Sequence, residues 1–291
     1  MRASVVIASR NRRRHLQKCL ECLCHQDCSP DAYEIIVVDD ASTDDTWSML
    51  EGFRGPCRIR KIRLPERVGQ AIARNQAIEV AAGEVIIFID DDAFACPGFI
   101  CEHLVSHQRS PMLIVDGPAI NFAWKRSSDL LPFESKVVRA QSFMDFAGAC
   151  FVTVNTSCRR EHLLACGGFD PDFSGTYGWE DTELGLRLRK MGLRRLKNRS
   201  AFVLHCACGP AADVLLLKRR QCGSNAILYY RKHPELSVRR EIRLGQSRRL
   251  PLLNSLCRFR WPMGLLLHRE YAMGLREGIE RYGLPEIEVR R

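Results

Sequence analysis

Apolar positions in this chain alternate between two spacings. Val5-Val6-Ile7, Ile35-Ile36-Val37-Val38 and Val85-Ile86-Ile87-Phe88-Ile89 are runs with no polar face, the pattern of strands buried on both sides in a parallel sheet. Between them the period becomes helical. Leu16, Cys19, Leu20 and Leu23 recur at i, i+3, i+4 and i+7. Trp47, Leu50 and Phe53 mark a short helix that Thr43 or Asp44 can cap. Ile72 and Ile78 lie inside a helix expected over 69–82, with Gly83 as its stop. With a further strand at Arg58–Ile62, strands and helices alternate four times before residue 90. That order predicts βαβ units and a mostly parallel, Rossmann-like sheet flanked by helices, an α/β fold.

The pattern continues with a helix over 97–107, a strand at 113–116 and, from Gly117 to about Asp145, a stretch without periodicity. There Phe122, Trp124 and Phe133 stand among polar residues, as in a binding loop or a loop packed over its own aromatics. Strand character returns at Phe151–Val154, followed by a short helix at Glu161–Ala165 and a turn-rich stretch from Gly167 to Phe173. Leu184, Leu188 and Met191 place a helix from near Asp181 to near Gly192, and a last strand is expected at Ser200–Cys206. From Ala212 the chain reads as helical and basic, with Lys218-Arg219-Arg220, frequent arginines over 239–260, and Leu267, Tyr271, Leu275 and Ile279 at four-residue spacing. The expected division is an α/β domain over 1–210, in two parts of about 1–117 and 118–210, and a helical basic C-terminal extension over 211–291. Such an extension either lies on an anionic membrane or packs on protein with its basic face solvated.

Charge and cysteine content narrow the setting. Lys and Arg number 44 against 34 Asp and Glu, a net charge of +10, which favours anionic partners: nucleotide diphosphates, acidic lipids or nucleic acid. No apolar run is long enough to span a bilayer. Met1 is followed almost at once by a strand pattern, so no signal peptide is expected. Fourteen cysteines then read as reduced thiols and the setting as cytoplasmic, peripheral at the inner face of the membrane if the extension meets it. The sequons at Asn155 and Asn198 read as accidental in that setting. Cys19, Cys22, Cys24 and Cys28 read as packing rather than zinc ligands, because two of them sit on a helix and no ribbon-spaced partners follow.

The chemistry gathers at strand ends. Ser9 to Arg12, Asp39-Asp40 and Asp90-Asp91-Asp92 follow the first, second and fourth strands, and open α/β sheets bind ligands beyond that edge. No glycine-rich phosphate loop is present. A diphosphate held here would therefore need a cation, and hard divalent cations take carboxylate and phosphate oxygens. Asp90 and Asp92 are the candidates; the plainer reading is a solvated acidic turn. Glu180, Asp181 and Glu183 likewise suit a helix start through the macrodipole.

Four segments, in order, resemble family 2 glycosyltransferases of the GT-A fold over about residues 3–210. Ser4 to Arg12 is similar to the opening strand and loop, with Arg10 where the family often has Tyr. Ile35 to Asp44 matches closely. Ala73-Arg74-Asn75 followed by Ala82 to Asp92 is similar to the segment ending in the family's D-x-D. Gly167-Gly168-Phe169-Asp170 with Gly178-Trp179-Glu180-Asp181 resembles its acceptor-side E-D motif. The resemblance implies an inverting, metal-dependent transfer from a nucleotide-sugar donor, UDP first among nucleotides, to a glycan or lipid-linked acceptor in polysaccharide or glycoconjugate biosynthesis. It implies that Ala8, Ser9, Asn11, Asp40, Arg74, Asp90 and Asp91 serve the nucleotide, with the Asp40 carboxylate on the base and Asp90 near ribose or diphosphate. It implies Mn²⁺ or Mg²⁺ at Asp92 with Asp90 and His205, Asp181 as catalytic base, Glu180 on the acceptor sugar, and Trp179 stacked on a sugar face or purely structural.

Two other readings stand beside it. A nucleotidyltransferase would use the same carboxylates to attack phosphorus, and Arg10, Arg12, Arg13 and Arg14 could serve it, although the glycines of such a loop are missing. A basic binding protein for nucleic acid or membrane would rest on net charge alone. No zinc-finger spacing, RNA-binding signature or basic aromatic repeat occurs, so no specific nucleic-acid partner is expected.

Overall fold

The computed structural model describes residues 1–122, 142–144, 151–206, 211–242 and 263–284. The chain forms two compact units: Met1–Pro171 with Asp181–Cys208, and Asp172–Glu180 with Gly209–Arg291. The second unit thus takes in a short inner segment besides the C-terminal one. Trp124, Phe133, most of the arginines of 239–260 and the expected boundary at 210 lie outside the described residues.

In the first unit the chain runs β1 (Ala3–Ser9), α1 (Arg13–Cys24), β2 (Tyr33–Asp39), α2 (Thr46–Gly52), β3 (Arg58–Arg63), α3 (Gln70–Val80), β4 (Val85–Ile89), β5 (Ala93–Ala95), α4 (Phe99–Gln108), β6 (Leu113–Asp116), β7 (Ala119–Phe122), β8 (Ser142–Met144), β9 (Asn155–Arg159), α5 (Arg160–Ala165), α6 (Glu180–Lys190), β10 (Arg194–Lys197) and β11 (Val203–Cys206). A seven-stranded sheet has the order β10-β6-β9-β4-β1-β2-β3. Its pairs are parallel except around β9, which runs antiparallel to β4 and β6. A second sheet has the order β5-β11-β7-β8.

The uniformly apolar runs are buried as their pattern demands. Every residue of β2 and β4 is buried, with separate apolar clusters on the two faces of the sheet. Helix α3 ends at Val80, before Gly83. Gly83 serves a close approach instead. A Cβ there would lie 2.3 Å from the backbone of Ala3, and its N–H donates to Ser4 Oγ.

Four strands escape the apolar pattern. Phe151–Val154 is not a strand. Phe151 packs edge-on against Phe88 and Phe169, the Thr156 hydroxyl closes a turn on Val152 O at 2.7 Å, and pairing begins only at Asn155. Strand β9 is polar yet buried. Strands β7 and β8 lie inside the stretch expected to be irregular, and β10 is a basic edge strand whose Arg195 grips Asp116 through two bonds of 2.7 and 2.9 Å.

A buried relay makes β9 possible. His103 Nε2 lies 3.0 Å from Asn155 Oδ1, an acceptor, so Nε2 carries the proton and Nδ1 accepts from the Ser157 hydroxyl at 2.8 Å. His107 Nε2 then donates to Ser157 Oγ at 2.8 Å, and the Asn155 amide donates to Pro118 O and Ala201 O. Asn155 is therefore a core residue. The relay needs His103 neutral, since its Nδ1 accepts, and burial holds the pKa values down to about 4 for His103 and about 3 for His107.

The sign of the pH effect follows. Above the ordinary value of 6.5 neither folded nor unfolded chain takes these protons. Below it the unfolded chain binds protons that the folded chain refuses, so stability falls from pH 6.5 towards 4, by at most about 1.4 kcal/mol per unit and per histidine. In thermal melts across this window, His103→Gln should show a shallower loss than the parent chain. Identical slopes would reject the neutral relay.

Candidate functional site

Strands β1, β2 and β4 end together at one edge of the sheet, and their loops interlock. Asp40 N–H donates to Ser9 O at 2.9 Å. Asn11, with φ +55°, receives the Thr43 N–H on Oδ1 at 2.8 Å and donates its own N–H to Ser42 Oγ at 2.9 Å. Ala41 also takes a left-handed φ of +53°, a strained choice for alanine. Beside this loop a cleft of about 440 Å³ is lined by Ala41, Ser42, Thr43, Arg63, Leu64 and Pro65.

The acidic turn follows β4, and each carboxylate meets a different partner. Asp90 Oδ1 accepts from Arg74 on α3 at 3.2 Å. Asp91 Oδ2 accepts the Ser9 hydroxyl at 2.7 Å. Asp92 faces His205 Nε2 at 3.4 Å and Arg12 at 3.8 Å. Strand β5 begins immediately after the turn and pairs with β11, setting His205 opposite Ala93. Strand β7 on the other side sets Asn121 opposite His205.

Electrostatics differ along the turn. Burial, then Asp92, pushes Asp91 up to about 7. Burial also raises Asp90 against the opposing pull of Arg74. For Asp92, burial is outweighed by the hydrogen bond and charge of His205 and by Arg12, so its pKa falls. His205 rises, because Asp92 outweighs the effect of its own burial.

Among the described residues no three His, Cys, Asp or Glu side chains converge as a metal-ligand cluster. The expected trio is not assembled: Asp90 turns to Arg74, leaving Asp92 with His205. That pair is partly exposed, Asp92 at 18% and His205 at 22%. His205 Nδ1 lies 2.9 Å from Asn121 Oδ1, so Nδ1 carries the proton and Nε2 is the nitrogen available to a ligand. One carboxylate and one imidazole fit a hard cation that completes its shell with phosphate oxygens and water.

Asp40, expected on the nucleobase, accepts the N–H groups of Val68 and Gly69 at 2.7 and 3.0 Å, one on each oxygen. In this structure it shapes the loop that opens α3. Asp181 sits in the first turn of α6 and accepts the Thr182 N–H at 2.7 Å. Glu183, a helix-start acid by pattern, is buried and holds Arg187 through two bonds of 2.7 Å. Arg187 in turn donates to Cys166 O and Gly168 O.

The neighbouring side chain on α3 was not singled out by the sequence. Asn75 Oδ1 accepts the Phe169 N–H and its amide donates to Phe169 O, both at 2.8 Å. Arg74 also stacks over the Phe169 ring, 5.6 Å from its centroid. One helix thus holds both Asp90 and the Gly-Gly-Phe-Asp turn. The only advance signal was the place of Asn75 inside a matched segment.

In the second unit, α7 (Ala212–Lys232) holds the segment before Glu180. Asn225 donates to Thr176 Oγ1 at 2.8 Å and Gly178 O at 3.0 Å. Trp179, at φ +78°, stacks on Tyr229 with centroids 5.1 Å apart and donates to Cys222 O. One ring face and the indole N–H therefore serve this packing.

The glycosyl transferase family 2 model matches residues 4–215. The chain belongs to that family. Among curated relatives, the uncharacterized glycosyltransferase YfnE of Bacillus subtilis is 28% identical, with 70% of this chain and 64% of that protein covered. Validoxylamine A glucosyltransferase of Streptomyces hygroscopicus is 27% identical, with 80% of this chain and 57% of that protein covered. The chain thus spans about three fifths of these relatives' lengths. Among solved structures, the mannosyltransferase PcManGT of Pyrobaculum calidifontis, in complex with GDP-Man and Mn²⁺, aligns with a TM-score of 0.63 at 20% identity, covering 97% of this chain and 83% of that one. TarS of Staphylococcus aureus with UDP-GlcNAc aligns at 0.58 and 14% identity, covering 98% and 93%. The fold of this family 2 chain is the GT-A type.

Removing the Asn75 amide should loosen the link between α3 and the Phe169 turn. Asn75→Ala is expected to cost about 1–3 kcal/mol in denaturant unfolding. Asn75→Asp, which keeps only the acceptor, should fall between it and the parent. A loss within error of zero for Asn75→Ala would show that the clamp is idle.

Proposed function

We propose that this family 2 chain transfers a glycosyl group from a nucleoside diphosphate sugar to a hydroxyl of a saccharide or lipid-linked acceptor, inverting the anomeric carbon, in polysaccharide or glycoconjugate assembly. The observation that carries the reading is the acidic turn: Asp92 and His205 face each other, 3.4 Å apart, beside an Asp90 balanced by Arg74. UDP and GDP are the first nucleotides to test, since UDP-GlcNAc and GDP-Man accompany the structural neighbours.

Asp92 Oδ1 and His205 Nε2 would hold Mn²⁺ or Mg²⁺ against the diphosphate, and the ion would neutralise charge on the leaving group. The backbone of Ala8 and Ser9 and the interlocked Asn11–Thr43 loop would border the nucleoside. Arg74, bonded to Asp90 at 3.2 Å, would hold that carboxylate beside the ribose or diphosphate. Asp181 would take the proton from the attacking hydroxyl, the work of a carboxylate poised on the acceptor side. Glu180 would bind the acceptor sugar, and Trp179 would stack on a sugar face or serve the packing alone. One displacement by that hydroxyl breaks the bond to the diphosphate oxygen and inverts the carbon. A retaining route would need a carboxylate on the opposite face, and no residue is nominated for it.

Two substitutions separate the roles. Asp92→Asn should weaken Mn²⁺-dependent UDP or GDP binding by about tenfold or more in calorimetric titration; unchanged affinity would remove Asp92 from the metal site. Asp181→Asn should bind the same nucleotide as tightly as the parent and lose transfer by about 10²–10⁴-fold in a radiolabelled sugar assay. Turnover near the parent value would rule out Asp181 as the base.

A further inference from the structure

In the second unit the short α8 (Leu236–Glu241) follows α7, and α7 pairs with α9 (Met263–Tyr282). Their contacts ascend together along both helices. Arg220 meets Gly274, Gly223 meets the stretch from Tyr271 to Leu275, and Ile227 meets Gly278. Arg231 donates to Tyr282 O at the far end. The helices are therefore parallel. Glycine makes the closeness possible: a Cβ on Gly274 would lie 1.9 Å from Arg220 O, and one on Gly223 2.2 Å from Tyr271 O.

Parallel helices begin at the same end, and here both begin with apolar turns. Val214 is 41% and Leu217 56% exposed on α7, and Met263 is 41% exposed on α9. The register sets these turns side by side. Arg219 and Lys218 follow, the Arg219 guanidinium 4.5 Å from the centroid of the buried Tyr271 ring and Lys218 similarly placed over Tyr177. Charge is equally lopsided. Residues 211–291 hold 17 Lys and Arg against 8 Asp and Glu, whereas residues 1–210 hold 27 against 26. Nearly the whole excess of the chain belongs to this part.

We propose that the paired N-terminal turns of α7 and α9 are a docking surface for an anionic lipid bilayer. An exposed apolar tip followed by Lys218 and Arg219, in the part of the chain that carries the basic excess, matches the boundary between acyl chains and acidic headgroups. A second copy of the chain would bring like charge against like charge. Nucleic acid would satisfy the charge and leave Val214, Leu217 and Met263 in water. The inference stands independently of glycosyl transfer.

The test uses the full chain and sucrose-loaded vesicles of phosphatidylcholine, with or without phosphatidylglycerol. The parent chain should sediment with the phosphatidylglycerol vesicles, weakly or not at all with phosphatidylcholine alone, and less as salt is raised. The double variant Leu217→Glu, Met263→Glu should lose about tenfold in vesicle affinity with an unchanged melting temperature, and Val214→Glu should act in the same direction. Equal sedimentation of parent and double variant would overturn the proposal, as would absence of vesicle binding. A parent dimer in analytical ultracentrifugation that the double variant dissolves would assign the surface to a second copy instead. Nucleotide binding is titrated separately: its absence would sink the transferase reading and leave the vesicle result standing.

Discussion

Three carboxylates in a row repel one another, and the carboxyl edge of the sheet is built to hold them there. Each acid of the turn receives its own counterpart from a different element: an arginine from α3, a hydroxyl from the end of β1, and an imidazole from β11. Removing one partner leaves a partly buried carboxylate without compensation, which favours its protonation. The central strand can therefore end in acid only because the second sheet exists. Strand β5 turns back at once into that sheet, and its pairing with β11 delivers His205.

A second constraint operates inside the core. Strand β9 reverses direction between parallel neighbours and buries Asn155, Thr156, Ser157 and Cys158. Buried polar groups are tolerated only when bonded, and the two histidines of α4 supply that bonding. The relay gives α4 a fixed register against the sheet, a task that apolar packing alone performs less specifically.

How much of this was legible depended on where the deciding partner lay. The first ninety residues could be read because their strands are apolar on both faces and their helices carry a plain period. Phe151–Val154 has the aromatic and β-branched residues that suit a strand, whereas pairing falls on the polar Asn155 to Arg159, held by side chains from α4. Strand β10 was missed because three of its four residues are cationic. Strand β5 is only three residues long and shows no period. The acidic turn was visible, but its partition was not: Asp90 turned to Arg74 and Asp40 to the Val68–Gly69 amides, both through tertiary contacts. Asn75 acts on a residue 94 positions later, beyond any local pattern.

The discontinuous make-up of the second unit has a consequence during synthesis. Asp172–Glu180 leaves the ribosome well before α7 is complete and about a hundred residues before the end of α9. At bacterial or eukaryotic elongation rates that delay is roughly 5–20 s. For about the first half of that interval Trp179 lacks the Tyr229 face and Thr176 and Gly178 lack Asn225. The nascent chain therefore presents an aromatic, unpaired segment to chaperones and proteases while most of the first unit is already made. Asn225 and Tyr229 of α7 are the residues that withdraw it.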